Sequence, residues 1–190
     1  MDMELILASA SPRRRELLAL ITNKFRVEAS GADENIDRSL PPEEFVARLA
    51  HRKAAEVAGR FPDGVIIGSD TVVECDGIIL GKPRTAADAA DMLGRLSGRE
   101  HRVHTAVSVQ GPLGEHSLVS TAAVQFAPLS RQEIDWYIAT GEPMDKAGAY
   151  GIQGYACRYI TGIQGDYYTV MGLPVQPLYR LLRDLGALEE

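Results

Sequence analysis

The stretch ILASASPRRRELLALI, Ile6 to Ile21, sets the fold class. Ile6 and Leu7 read as a short apolar strand, Ser11 is a natural N-cap, and Pro12 is favoured at the first helical position. Leu17, Leu18, Leu20 and Ile21 then recur at helical spacing. Strand, turn and helix follow one another within this one segment, which also poses a charge problem. A helix N-terminus carries partial positive charge and favours Asp or Glu by a few tenths to about 1 kcal/mol each. This one opens with Arg13, Arg14 and Arg15. Either the three guanidinium groups point into solvent, or they surround an anion that the backbone N–H groups already attract.

Moving outward, the elements keep alternating. A strand over Leu5 to Ser9 and the helix from Pro12 are followed by a strand near Phe25 to Ala29 and a helix over Glu43 to Gly59, which is an α/β order. Val65 to Gly68 suits a buried strand and delivers Ser69, Asp70 and Thr71 at its carboxyl end, where open α/β sheets place ligand groups. Asp76-Gly77 predicts a tight hairpin turn between Val72-Val73 and Ile78 to Leu80. A Gly81-Lys82-Pro83 corner follows. Thr85 with Asp88, and Ser130 with Glu133, mark capped helices that end near Gly98 and Gly141. Between them Val103, Thr105, Val107 and Val109 alternate, GPLG turns the chain, and Val119 to Phe126 return as a strand. Lys146 to Ala156, KAGAYGIQGYA, is too rich in glycine for regular structure. Gly165 to Pro174 leads into a last helix with Leu178, Leu181, Leu182 and Leu185 on its buried face and Gly186 at its end.

The totals bound the function. A chain of 190 residues, 45% hydrophobic and 24% charged, buries enough apolar surface for one domain or two small lobes sharing a core. No apolar run approaches the roughly 20 residues of a membrane helix. The opening MDMELILASA lacks the basic start and apolar core of a signal peptide, and Cys75 and Cys157 form no disulfide framework, so the expected location is cytoplasmic with no membrane partner. A formal charge of −6 disfavours nucleic acid as a partner. Any phosphate ligand must meet a local cluster of cations.

Several side chains are candidates for chemistry. Lys53 sits four after Leu49 and four before Val57, on the apolar side of its helix. It either snorkels along apolar surface or sends its ammonium into a cleft. Asp70 is either a turn residue or a carboxylate fixed for metal binding or general-base work. Lys82, between Gly81 and Pro83, has a restricted backbone. Asp33, Glu34 and Asp37 read as a solvated acidic loop. Grouped with Asp70, they are also the oxygen ligands Mg²⁺ takes when it binds phosphates. His51, His101, His104 and His116 lack zinc spacing, and His101 with His104 predicts an exposed strand face. Trp136 and Tyr137 read as packing. KAGAYGIQG matches neither a Walker A motif nor the dinucleotide fingerprint. Its glycines let backbone N–H groups approach a ligand, and the Gln153 amide carries the donor and acceptor needed to read a base edge.

Taken together, LASASPRRRELL, GSDTVV, GKPR, KAGAYGIQG and the GLPV of Gly172 to Val175 resemble the Maf family of nucleoside triphosphate pyrophosphatases. The resemblance runs from end to end and implies a single domain over 1–190. It implies an α/β fold of the Maf/ITPase-like kind, with a mixed sheet flanked by helices and an active-site cleft between two lobes, in a protein that forms homodimers. It further implies hydrolysis of a nucleoside triphosphate substrate to monophosphate and pyrophosphate with a divalent metal cation: Mg²⁺, or Mn²⁺ or Co²⁺ in its place. Asp70 falls on the family's proton acceptor. Ser9, Arg13, Arg14, Glu34, Lys53 and Lys82 fall on its other active-site positions, with Glu34 and Asp70 as the metal pair. In the dTTP/UTP branch the specificity positions are Arg, Thr and Gln, here Arg13, Thr71 and Gln153. The 7-methyl-GTP branch differs around the last motif.

On this reading Arg13, Arg14, Lys53, Lys82 and the metal neutralise the leaving pyrophosphate, while Asp70 orients or deprotonates a water for attack at the α-phosphorus. Consecutive helix residues point about 100° apart, so three arginines cannot converge on one anion, and Arg15 is expected to face solvent. The role implied is house-cleaning of nucleotide pools, modified pyrimidines included, with a link to cell division arrest. Two alternatives remain open: the same reaction on purine or methylated nucleotides, and a non-catalytic nucleotide sensor of septum formation.

Overall fold

The segment that begins at Ile6 folds as its residues dictate. Strand β1 (Leu5–Leu7) is fully buried, and α1 (Pro12–Ala19) starts where Ser11, in extended backbone, accepts the backbone N–H of Arg14. The computed structural model describes residues 3–37 and 39–188. Met1 and Asp2, Arg38 and the last two positions of the expected 1–190 domain lie outside them. After α1 come β2 (Arg26–Val27), α2 (Pro42–Arg60), β3 (Val65–Cys75), β4 (Ile78–Leu80) and α3 (Ala86–Leu96). The chain continues through β5 (Glu100–Gly111), β6 (Gly114–Phe126), α4 (Arg131–Ala139), β7 (Ile160–Gln164), α5 (Tyr167–Met171) and α6 (Val175–Asp184). Among the described residues the strands form a mixed sheet of order β2-β1-β3-β5-β6-β7, with β4 paired to β3. The pairs β1–β2 and β1–β3 are parallel, and β3–β4 and β6–β7 are antiparallel. This is the expected mixed α/β architecture. No described helix is long and apolar enough to cross a membrane.

Contacts group the chain into two compact units. The first comprises Met1–Asp70, Thr105–Ser120 and Gly172–Glu190, and the second Thr71–His104 and Thr121–Met171. In the first, Ile6 pairs with Ile66 and Leu7 with Ile67, and the stripe predicted for α2 is buried: Phe45, Val46, Leu49, Ala50, Ala54 and Val57. The helix comes very close to the strand at Gly68. A Cβ built there would lie 2.5 Å from the Ala50 carbonyl oxygen and 2.7 Å from the Ala54 nitrogen. Backbone atoms cannot retreat as a flexible side chain can, so this contact requires glycine. In the second unit, α3 and α4 bury Leu93, Leu96, Ile134 and Tyr137 with Phe126, Tyr150 and Tyr159. The capping box of Ser130 and Glu133 is complete, and Thr85 caps α3 through the Asp88 N–H.

Three expectations need correction. The strand expected to end at Gly68 runs on to Cys75, because Val72, Val73 and Cys75 continue to bury side chains. Asp70 therefore lies within β3 and not at its end. The termination that matters is that of β1, whose pairing with β3 stops at Ile67. Secondly, His101 and His104 are not on an exposed face. They are 2% and 1% exposed, and Val103 through Gln110 are buried without a break, so β5 is covered on both faces. Thirdly, of the four leucines predicted for the buried face of the last helix only Leu178 and Leu182 are fully buried. Ahead of it GDYYTVM forms a short helix, α5, which Asp166 caps by accepting the Thr169 N–H at 2.9 Å.

Two substitutions separate close packing from mere glycine content. Gly68→Ala should destabilise by about 2 kcal/mol or more through overpacking against backbone. Gly94→Ala, in α3 with no atom within 4 Å of the new Cβ, should stabilise by about 0.5–1 kcal/mol. Chemical denaturation of the two variants checks both signs.

Candidate functional site

Because α2 lies on β3 at Gly68, Lys53, one residue before Ala54, reaches Asp70, two residues after Gly68. Its Nζ donates to Asp70 Oδ1 at 2.7 Å and lies 2.8 Å from Glu34 Oε1. The Lys53 and Asp70 side chains are only 15% and 14% exposed, whereas Glu34 is 65% exposed. Of the two readings of Lys53, the structure gives the ammonium held by carboxylates, not the one snorkelling into water. Removing one partner of a desolvated pair costs about 3–5 kcal/mol, more than a surface pair would. The second carboxylate limits that loss, since Lys53 always retains an anionic neighbour.

Arg14 belongs to the same group. Its Nε donates to the Gly172 carbonyl at 2.9 Å and its Nη1 to Ser9 Oγ at 3.4 Å. Burial lowers the guanidinium pKa, the attraction of Asp70 and Glu34 opposes that shift, and neighbouring Arg13 adds to it. An arginine so placed stays charged. Ser9, itself buried, also accepts the Ser11 N–H at 3.2 Å. Arg13 is partly buried and Arg15 exposed, so the three arginines divide as the helical geometry demands.

Gly172 is a site residue for which sequence reasoning assigned no role. Its carbonyl accepts from Arg14 and also from the hydroxyl of fully buried Ser69 at 3.2 Å, tying α1 to the residue before Asp70. Its φ of 115° is one that favours glycine. The only signal in the sequence was the GLPV motif itself. The first unit thus brings together Ser9, Arg14, Glu34, Lys53 and Asp70, with Arg13 beside them. The two carboxylates are hard oxygen donors, and the point on which they converge is the Lys53 ammonium. Among the described residues no group of three or more His, Cys, Asp or Glu is placed to hold a metal. Carboxylates are the donors a divalent cation takes when phosphate oxygens and water complete its shell.

In the second unit, Thr71 follows Asp70 along β3 and is partly buried, while Lys82 and Gln153 are exposed. The Gly148 N–H donates to the Gly81 carbonyl at 3.0 Å, joining the loop that carries Gln153 to the corner that carries Lys82. That loop is not irregular throughout. It contains 3₁₀ turns at Ala147–Ala149 and Tyr155–Tyr159, and Gly148, at φ 68°, leaves room for Val73 where a Cβ would collide. Tyr150 anchors it from inside. His101 Nε2 lies 2.8 Å from Tyr150 Oη, and His101, Phe126 and Tyr150 meet edge to face. Burial pushes the His101 pKa down to about 4 and the Tyr150 phenol up. Tyr137 is packing, as expected, but Trp136 is 42% exposed, with Arg158 over its ring at 4.2 Å.

The sequence matches the family model described as Maf-like protein over residues 4–185. It is 50% identical over 185 residues to the dTTP/UTP pyrophosphatase of Symbiobacterium thermophilum, covering 96% of this chain and 94% of that one. It is also 50% identical over 186 residues to the dTTP/UTP pyrophosphatase of Bacillus velezensis, covering 98% of each. Among solved structures, the Staphylococcus aureus Ham1 protein shares the fold with a TM-score of 0.56 at 14% identity, covering 95% of this chain and 98% of that one.

His101 supplies a pH test of the loop anchor. Its folded pKa of about 4 lies below the ordinary 6.5, so as pH falls the unfolded chain takes up the proton first. Its contribution is complete above pH 6.5 and is lost as pH falls towards 4, by up to about 3 kcal/mol. His101→Phe should start less stable, having left the Tyr150 hydroxyl unpaired, yet lose less stability between pH 6.5 and 4.5 than the parent. Equal slopes in denaturant titrations would contradict the burial of a neutral His101.

Proposed function

The chain belongs to the Maf-like protein family, and from that membership we propose that it hydrolyses dTTP and UTP to the monophosphate and pyrophosphate. The observation that carries the reading is the Lys53 ammonium shared by Asp70 and Glu34 beside a partly buried Arg14. Relatives near 50% identity named for this activity support the choice of substrate.

Asp70 accepts a proton from a water whose oxygen bonds to the α-phosphorus as the bond to the bridging oxygen breaks and pyrophosphate leaves. Lys53 holds the Asp70 carboxylate in one orientation, so the reacting oxygen is set before substrate arrives. Arg13 and Arg14, at the N-terminal turn of α1, and Lys82 meet the negative charge of the triphosphate, which grows on the leaving oxygen as the reaction proceeds. Glu34 and Asp70 are the side chains that would hold a divalent cation, which when bound supplies further positive charge to the phosphates. Ser9 fixes Arg14, and Thr71 lies next to the proton acceptor on the same strand. The Gln153 amide matches the N3–H donor and O4 acceptor of thymine and uracil.

Asp70→Asn should lower kcat for dTTP with Mg²⁺ by about 10³-fold, as expected for loss of a positioned proton acceptor. Lys53 keeps Glu34 as its anion in that variant, so stability should fall by less than the about 3–5 kcal/mol of an uncompensated buried charge. Pyrophosphate release and a denaturant titration on the same preparation check the two statements. Parental turnover by the Asn variant would overturn the assignment.

A further inference from the structure

Gln153 sits at the tip of the turn Gly151–Tyr155, and a carboxylate outside every motif discussed so far grips that turn at both ends. Glu142 Oε1 accepts the Tyr137 hydroxyl proton at 2.7 Å, and that hydroxyl in turn accepts the Gly151 N–H at 3.1 Å. Glu142 Oε2 accepts the Tyr155 N–H at 3.0 Å. The turn closes on itself through the Gly154 N–H, which donates to the Gly151 carbonyl at 3.1 Å.

The two glycines flanking Ile152-Gln153 are explained by this clamp. A Cβ on Gly154 would fall on the Glu142 carboxylate, and one on Gly151 would lie 2.5 Å from Lys146 Cε. Neither glycine has a positive φ, and the space each leaves is filled by the Glu142 and Lys146 side chains. Lys146 Nζ donates to the Glu142 carbonyl at 2.9 Å, fixing the residue's backbone as well as its side chain. Tyr137 is fully buried at the end of α4, and both burial and the Glu142 hydrogen bond push its phenol pKa up, so it remains a donor. Gln153 itself is exposed and reaches out from a turn pinned to the helix behind it.

We propose that Glu142, acting through Tyr137 and the Gly151–Tyr155 turn, is the positioning residue that sets base recognition by Gln153. The inference rests on the reading that Gln153 contacts the base. Glu142 touches neither base nor phosphate. It restricts the backbone from which the amide projects, so that binding the base orders one side chain and not a whole turn.

The test compares dTTP with an abasic deoxyribose 5′-triphosphate in steady-state hydrolysis with Mg²⁺, for the parent, Glu142→Ala, Glu142→Gln, Gln153→Ala and the Glu142→Ala/Gln153→Ala pair. Glu142→Ala should lower the ratio of kcat/KM for dTTP over the abasic substrate by about tenfold, through KM for dTTP. Glu142→Gln should recover part of that loss, because its amide oxygen still accepts from Tyr155 and its NH₂ can donate to the Tyr137 oxygen. In the Gln153→Ala background Glu142→Ala should lower the ratio no further. An unchanged ratio in Glu142→Ala, with the ratio lost in Gln153→Ala, overturns the positioning role and leaves the Gln153 reading standing. A ratio unchanged in Gln153→Ala overturns the Gln153 reading and the inference with it. Equal losses on both substrates in Glu142→Ala mark a structural role only and also overturn the inference.

Discussion

The absence of a side chain at Gly68 is the constraint on which the first unit depends. It allows the backbone of α2 at Ala50 and Ala54 to rest on β3 at a distance no other residue permits. That approach fixes the height of Lys53 above the strand. From there a 2.7 Å bond to Asp70 follows with little freedom, and Glu34 completes the arrangement at 2.8 Å. A lysine and an aspartate that would be ordinary surface residues elsewhere become a desolvated pair because a helix and a strand lie unusually close. Stability and site geometry are thus consequences of one contact.

Charge balance explains the rest of the cluster. One ammonium facing two carboxylates leaves an excess of negative charge, which Arg14 offsets from the N-terminal turn of α1. The unfavourable burial of that guanidinium is offset by Asp70 and Glu34 and by two neutral acceptors, the Ser9 hydroxyl and the Gly172 carbonyl. The arginines at the head of α1 therefore have a structural explanation as well as a proposed ligand: Arg14 belongs to the site, Arg13 stands at its margin, and Arg15 faces water. The helix tolerates them because only one of the three is committed to the interior.

What was legible in the sequence was local. Ser11 and Pro12 announced α1, Ser130 and Glu133 announced α4, and the stripe that places Lys53 on the buried side of α2 is a matter of spacing within one helix. The candidate residues of the first unit came from the family resemblance together with that spacing, and the structure brings Ser9, Arg14, Glu34, Lys53 and Asp70 together. What could not be read depends on distant partners. The Gly172 carbonyl meets Arg14 across most of the chain, and Glu142 meets Tyr155 across the glycine-rich loop between them. The alternation of valines around His101 and His104 suggests one wet face, whereas β5 is an inner strand whose polar residues find partners such as Tyr150 and Thr121. Ser69 to Thr71 interrupt the apolar run and suggest a strand end at Asp70, although the pairing with β4 carries the strand onward.

On the proposed mechanism, the close approach at Gly68 sets the geometry of the Lys53–Asp70 pair and, through it, the rate of turnover. The most direct measurement is kcat for dTTP with the Gly68→Ala protein, at a temperature where circular dichroism shows it fully folded. Displacing α2 from β3 moves Lys53 relative to Asp70, so kcat should fall by about tenfold or more with a much smaller change in KM. A folded Gly68→Ala protein that turns over at the parental kcat would contradict it.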